Sequence, residues 1–258
     1  MSKEKNAFIK HLKDRDIQKK ILDAFTAVNQ EDFFTDNVVG GLYSEKPIPI
    51  GCGETSDHPF ALAKMIQVLD PKKSWRILEV GTGSGYSTAI LSGMVKEVIT
   101  VEYHQNLAEI AKENLIEQEH FNVRIFAGDA TKMHDRLGPF DGIIIHPACS
   151  HRPLTILSML KESRFAVFPM GPSFQQQIVR YKNSLLSGED TLQNFTFYDF
   201  CSAESIRGEY GWKDQNKDFF VDELPDDKRI KTIDDDGKEK TKEKKEKKAK
   251  KKAAKKKK

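Results

Sequence analysis

Apolar and polar residues along this chain follow two different periods. Ile17, Ile21, Phe25 and Val28 recur at helical spacing, so residues 4–28 read as a helix with one face packed on a domain. Ile77, Leu78 and Val80 form a short continuous apolar run, the pattern of a parallel strand buried on both faces. Val98 to Val101 read as a second strand and Val123 to Ala127 as a third. Ser87 to Met94 reads as a helix between the first two strands, and another runs from Pro59, in its first turn, to about Leu69. Strands alternating with helices predict an α/β fold, doubly wound around a mostly parallel sheet. Gln30 to Phe34 and Asn37 to Tyr43 read as irregular connections. The prolines and glycines of Pro47 to Pro59 exclude a regular element and leave a loop or edge segment, placed to lie over a pocket. Phe195, Phe197, Tyr198 and Phe200 alternate imperfectly and read as the packing face of a late strand.

From Phe219 onward the pattern ends. Residues 222–237 are rich in Asp, and the remainder is Lys with Glu and Ala. Such a segment buries too little apolar surface to offset chain entropy, so disorder is expected, with transient helix between Lys238 and Lys258. At 258 residues the chain holds one sizeable domain with appendages: a helical lead-in over 1–45, a main domain over 46–219 and a tail over 220–258. The net charge of +3 hides an asymmetry. Residues 238–258 carry 14 Lys against 3 Glu, a balance of +11, which leaves −8 for the rest. The tail reads either as a tether for a polyanion, nucleic acid above all, or as a solvated extension. Met1 to Arg15 lacks the apolar core of a signal peptide, and no run approaches the length of a membrane span. Three scattered cysteines, Cys52, Cys149 and Cys201, suggest reduced thiols and hence a cytoplasmic protein. A monomer is expected.

Candidate chemistry centres on Gly81-Thr82-Gly83-Ser84-Gly85, between the first strand and its helix. Strand, glycine turn and helix form a nucleotide-binding crossover, and Glu79 stands at the carboxyl end of the strand, where open α/β sheets bind ligands. The spacing is G-x-G-x-G followed by Tyr86, which meets the dinucleotide fingerprint only in part. Two acidic residues strengthen the signal. Glu102 ends the second strand 21 positions after Gly81, where a ribose diol needs an acceptor. Asp129, in Gly128-Asp129-Ala130, ends the third, within reach of an adenine edge. Together these match an S-adenosyl-L-methionine site better than a nicotinamide site. The expected cofactor contacts are Glu79, the loop Gly81, Thr82, Gly83, Ser84 and Gly85, then Glu102 and Tyr103 at the ribose, and Gly128, Asp129 and Ala130 at the adenine. His146, Cys149 and His151 offer three zinc-type side chains in six residues without a partner motif, so no metal is expected, and the segment reads as a loop past a strand end with His146 lining the mouth of the site.

The order of motifs resembles the protein-L-isoaspartate O-methyltransferase family over residues 15–213. The matching residues are Ala24, Val28 and Phe33 or Phe34, then Pro49 to Gly51, Gly53, Thr55 and Pro59, then Glu79 to Leu91. Phe140 to Ile145 resembles the family's fourth strand, and Phe165 to Gly171 its fifth with the Pro-x-Gly that follows. Gln176-Gln177 and Phe197 to Trp212 are similar more loosely. The Pro-Ile-Gly-x-Gly-x-Thr loop is the more specific mark. The resemblance implies a Rossmann-like methyltransferase fold and a protein-repair enzyme that methylates the α-carboxylate of isoaspartyl residues in damaged proteins. Such chemistry rests on alignment and exclusion of water, because a carboxylate is already a nucleophile. The alternative is a cofactor-binding relative with a lost or altered acceptor. A nucleic-acid methyltransferase is less apt, since His146-Pro147-Ala148-Cys149 stands where amino-methylating enzymes carry Asn/Asp-Pro-Pro-aromatic.

Three departures cluster near the expected substrate. The family's loop Ser falls on Asp57, its small residues after strand four on His146 to His151, and an early Arg on Gln30. Thr55, Ser56 and Asp57 are expected to cover the methyl group, with Thr55 and Asp57 as the catalytic pair. An ionised Asp57 would repel an isoaspartyl carboxylate by roughly 4 kcal/mol at about 4 Å and an effective dielectric near 20. Weak or redirected activity follows unless a cation or a proton intervenes.

Overall fold

The computed structural model describes residues 1–34, 41–172, 174–184, 192–211, 232–233 and 239–240. Two compact units divide the chain, Met1–Lys217 and Asp218–Lys258.

The first unit is built on a seven-stranded sheet. In chain order its elements begin with α1 (Lys3–Asp14), α2 (Lys19–Ala27), the hairpin strands β1 (Pro49–Gly51) and β2 (Glu54–Thr55), and α3 (Pro59–Leu69). There follow β3 (Arg76–Val80), α4 (Tyr86–Ser92), β4 (Glu97–Glu102), α5 (Gln105–Glu117), β5 (Val123–Ala127) and β6 (Phe140–Ile145). The unit closes with α6 (Leu154–Leu157), β7 (Leu160–Met170), β8 (Gln176–Lys182) and β9 (Phe195–Cys201). Sheet order is β5-β4-β3-β6-β7-β8-β9. The first five of these strands are parallel, and β8 and β9 return antiparallel. α4 connects β3 to β4 and α5 connects β4 to β5, because a parallel connection must cross over, and the central strands are covered on both faces. Ile77, Leu78, Ile143 and Ile144 are accordingly fully buried. Strand order reverses between β3 and β6, so the crevice beyond their carboxyl ends is where such a sheet takes a ligand.

The N-terminal segment differs from the single helix that its periodicity predicts. Asp16 takes φ 60° and the chain doubles back between α1 and α2. Folding back brings Phe8 and Phe25 together, with ring centroids 6.2 Å apart, which one straight helix would keep apart. The buried Lys5 ammonium ties α1 to the C-terminal end of α2 by donating to Val28 O at 3.0 Å and Asn29 Oδ1 at 2.7 Å. Phe33 and Phe34 pack on Tyr86, the residue after the glycine turn. Gln30 is buried and accepts from Tyr43 N through its Oε1.

The segment expected to lack regular structure forms the β1–β2 hairpin. Its glycines make the turn possible: Gly51, Cys52 and Gly53 have φ of 99°, 54° and 78°. Pro59 opens α3 as expected, with His58 Nδ1 accepting from Phe60 N. The late aromatics are a second correction. Phe195 is buried against Tyr181, while Phe197 and Phe200 are exposed on β9, which among the described residues has no neighbouring strand beyond it.

In the second unit, β10 (Thr232–Ile233) pairs antiparallel with β11 (Glu239–Lys240). Glu239 and Lys240 are thus extended, not helical. The disorder expected for residues 220–258 otherwise concerns positions outside the described residues, as do Asn37 to Gly40 and Trp212. Among the described residues no helix is long and apolar enough to cross a membrane.

Candidate active site

The glycine turn leaves β3 with Gly81 at φ 92°, and its N–H is held by Val101 O at 2.9 Å. A Cβ at Gly81 would lie 3.0 Å from Pro147 Cδ in a backbone conformation that L residues avoid. Thr82 Oγ1 and Thr100 Oγ1 share a hydrogen bond of 2.7 Å, fixing the turn to β4. At the end of β4 the buried Glu102 carboxylate reaches the turn. Its Oε2 accepts from Gly83 N at 2.9 Å, and its Oε1 accepts from His104 N at 3.0 Å. Each oxygen keeps a second lone pair for a ligand hydroxyl.

A cavity of about 1130 Å³ opens over these groups. Its wall includes Gly81, Thr82, Gly83, Ser84, Glu102 and Tyr103 on one side. Thr55, Ser56 and Asp57 from the hairpin and its exit form another part, and Asp199 to Arg207 a third. Gly128, Ala130 and His146 complete it. The volume exceeds the roughly 300–1,000 Å³ usual for small-ligand sites, which leaves room for a peptide segment beside a cofactor. Ser56 Oγ accepts from Ile48 N at 2.9 Å, so its hydroxyl holds the hairpin in place. The glycine cradle, the Glu102 acceptor and the cavity fit an adenosyl cofactor.

Three expected contacts sit behind the wall. Glu79 is fully buried: Oε1 accepts from Ser87 Oγ at 2.7 Å, and Oε2 from Thr88 Oγ1 at 2.5 Å. It joins β3 to α4, and its carboxylate does not line the cavity. Asp129 Oδ1 accepts from Thr131 N at 3.0 Å and Thr131 Oγ1 at 2.6 Å, capping a short turn. That carboxylate faces Gly208, whose added Cβ would stand 2.9 Å from Oδ2, and it too is off the wall. Gly85 caps α4 against Leu115, likewise outside the cavity.

His146, expected at the mouth of the site, lines the cavity and stands between two carboxylates. Its Nε2 lies 3.0 Å from Glu79 Oε1, and its Nδ1 lies 2.5 Å from Asp57 Oδ2. The Asp57 contact is an ion pair too oblique to be an aligned hydrogen bond. Burial alone would drive the ring neutral, but the carboxylates of Asp57 and Glu79 overcome it and raise His146 to about 10. Asp57 therefore does not present the uncompensated charge expected of it, because a cation stands against it. A second cluster, Glu54, His104 and Arg207, also lines the cavity. Neither cluster has a local motif; for the Asp57–His146 pair the signal was that departures from the family pattern fell near one another, and the Glu54 cluster had none. Cys149 is buried with its thiol pushed up by desolvation, and His151 Nδ1 meets Ser150 Oγ at 2.8 Å. Among the described residues no three His, Cys, Asp or Glu side chains form a metal-sized group.

Comparison with known proteins agrees with this geometry. Residues 3–197 match the family model for protein-L-isoaspartate(D-aspartate) O-methyltransferase. A protein-L-isoaspartate O-methyltransferase of Petrotoga mobilis is 34% identical over 203 residues, covering 78% of this chain and 93% of the relative. One of Dictyoglomus turgidum is 33% identical over 212 residues, covering 82% and 94%. A solved structure from Plasmodium falciparum, described as a protein-L-isoaspartate O-methyltransferase with S-adenosyl-L-homocysteine, shares the fold. It superposes with TM-score 0.65 at 20% identity, over 79% of this chain and 98% of that one. On the family match and on relatives aligned over nearly their whole length, the chain belongs to the protein-L-isoaspartate O-methyltransferase family, enzymes that depend on S-adenosyl-L-methionine.

Proposed function

We propose that this enzyme transfers a methyl group to the α-carboxylate of isoaspartyl residues in damaged proteins and peptides, with the residues of the β3–β6 crevice in the following roles. Gly81, Thr82, Gly83 and Ser84 cradle the methionine part of the cofactor, with Gly85 setting the start of α4. Glu102 accepts from the ribose hydroxyls, and Tyr103 covers that end. Gly128 and Ala130 take the adenine side, with Asp129 holding their turn. Glu79 orients His146 and α4 from behind. Thr55, Ser56 and Asp57 close over the transfer site. S-adenosyl-L-methionine, when bound, supplies an electrophilic methyl group on a sulfonium.

One observation carries the choice of acceptor. Both ring nitrogens of His146 face carboxylates, so the ring has no lone pair to take a proton from an amine or hydroxyl. An acceptor that is already a nucleophile, a carboxylate, suits such a site. Free thiols at Cys52, Cys149 and Cys201 support a cytoplasmic location, and the enzyme acts as a monomer. The test is transfer of labelled methyl to an isoaspartyl peptide and to its normal aspartyl counterpart. Label on the first alone is expected; label on neither, with cofactor bound, would shift the assignment to another acceptor.

A further inference from the structure

Asp57 and His146 are far apart in sequence, and each stands where the family pattern has a different kind of residue, a serine in one case and a small residue in the other. In the fold they touch, with Nδ1 and Oδ2 2.5 Å apart. Asp57 comes from the segment between β2 and α3, and His146 follows β6, whose exit meets the end of β3 through His146 N to Val80 O at 3.0 Å. Both line the cavity. Their meeting ties the two departures together: the carboxylate of one stands against the ring that offsets its charge.

We infer that His146 is a positioning residue that acts through Asp57, neutralising it so that an anionic peptide carboxylate can approach the transfer site. The inference rests on the isoaspartyl reading for the identity of that anion. Three features support it. His146 is 6% exposed and Asp57's side chain 17%, so water screens the pair weakly. Glu79, fully buried, holds the far side of the ring and prevents it from turning away. Around Asp57 stand Cys201, whose thiol burial pushes up to about 12, and Asp199, which is paired with Lys64 at 3.1 Å. His146 is thus the cation in contact with the Asp57 carboxylate among the described residues. The same neutralisation makes the pair conditional: a neutral ring would leave Asp57 repelling the substrate.

The test compares wild type with His146→Gln, Asp57→Ser and the double variant Asp57→Ser/His146→Ala, which restores the family pattern. Isoaspartyl peptide affinity is measured by fluorescence anisotropy with S-adenosylhomocysteine present, and KM and kcat are measured separately. Ring NMR follows the protonation of His146 in the free protein. His146→Gln should weaken peptide binding about tenfold or more and raise KM more than it lowers kcat, while cofactor affinity by calorimetry stays near wild type. The double variant should recover most of the loss, and wild-type peptide affinity should fall as pH rises through about 10. Losses that add in the double variant, or a ring that NMR finds neutral near pH 8 while the peptide still binds, would overturn the inference. A cationic ring in a protein that binds cofactor but no isoaspartyl peptide would instead remove the isoaspartyl reading, and the role of the pair with it. His146→Asn serves as a second neutral variant should the Gln form fail to fold, and peptide affinity equal to wild type in either would also overturn the inference.

Discussion

Arg207 donates to Glu54 Oε1 through Nη2 at 2.6 Å and through Nε at 3.2 Å, joining the β1–β2 hairpin to the segment that follows β9. The same oxygen lies 3.1 Å from His104 Nε2, at the start of α5. Burial would raise the Glu54 carboxyl, but Arg207 and His104 hold it below its ordinary value. Three segments distant in sequence thus close on one carboxylate at the cavity rim.

Replacing Arg207 by Ala should loosen this rim without altering the glycine turn. Exposed ion pairs are worth at most about 1 kcal/mol, so cofactor dissociation should quicken by no more than about fivefold. Stopped-flow fluorescence would measure the rate. The difference from wild type should shrink at high salt, and a salt-independent change would point to packing rather than charge.

Glu102→Ala removes an acceptor that also holds Gly83 N and His104 N. Cofactor affinity should fall by about 1–3 kcal/mol, the scale for hydrogen bonds to charged groups. Glu102→Gln should lose less, because its amide oxygen still accepts. Titration calorimetry distinguishes them; equal affinity in all three proteins would show that Glu102 does not hold the ribose.

Much of this architecture was legible because its signals are local. The apolar runs at Ile77 and Val98 each fix a buried strand, the run at Val123 a half-exposed strand at the end of the sheet order, and Gly81 to Gly85 fix the turn between strand and helix. The reversal at Asp16 was not legible, since helical spacing on both sides of a turn reads as one helix. Phe197 and Phe200 misled for a similar reason: alternation along a strand is the same whether or not a neighbour covers the face. The Glu79–His146 contact depends on β3 and β6 lying side by side, and the Asp57–His146 pair on the segment after β2 lying against the exit of β6, which single-residue patterns do not encode. Glu79 and Asp129 were found by position at strand ends, yet position did not show that Ser87, Thr88 and Thr131 hold their carboxylates.

The basic tail gives a prediction from charge alone. Deleting residues 238–258 removes +11 from a chain whose remainder is −8. Melting temperature and cofactor affinity should stay nearly unchanged. Binding to a nucleic-acid polyanion should be lost in the truncated protein, and in the full chain should fall steeply with salt. A large drop in melting temperature would make the tail structural, and unchanged polyanion binding would place that affinity elsewhere.

His146 also predicts how stability depends on pH. Its folded pKa, about 10, lies above the unfolded value near 6.5, so the folded state binds the proton more tightly. Such a group contributes its full stabilisation below about pH 6.5, and that contribution declines and is lost as pH rises through about 10. Its origin is the attraction of the ring to Asp57 and Glu79, offset by the cost of burying the charge. Removing the ring leaves two carboxylates without their shared cation, and breaking a buried pair in this way typically costs about 3–5 kcal/mol. Urea unfolding of wild type and His146→Gln, repeated across this pH range, isolates the contribution from other titrating groups. The stability difference should be largest on the neutral side and should close as pH approaches about 10. A difference that is flat or widens with pH would mean that the ring is neutral in the folded protein, and that the carboxylates on either side of it are reconciled in some other way.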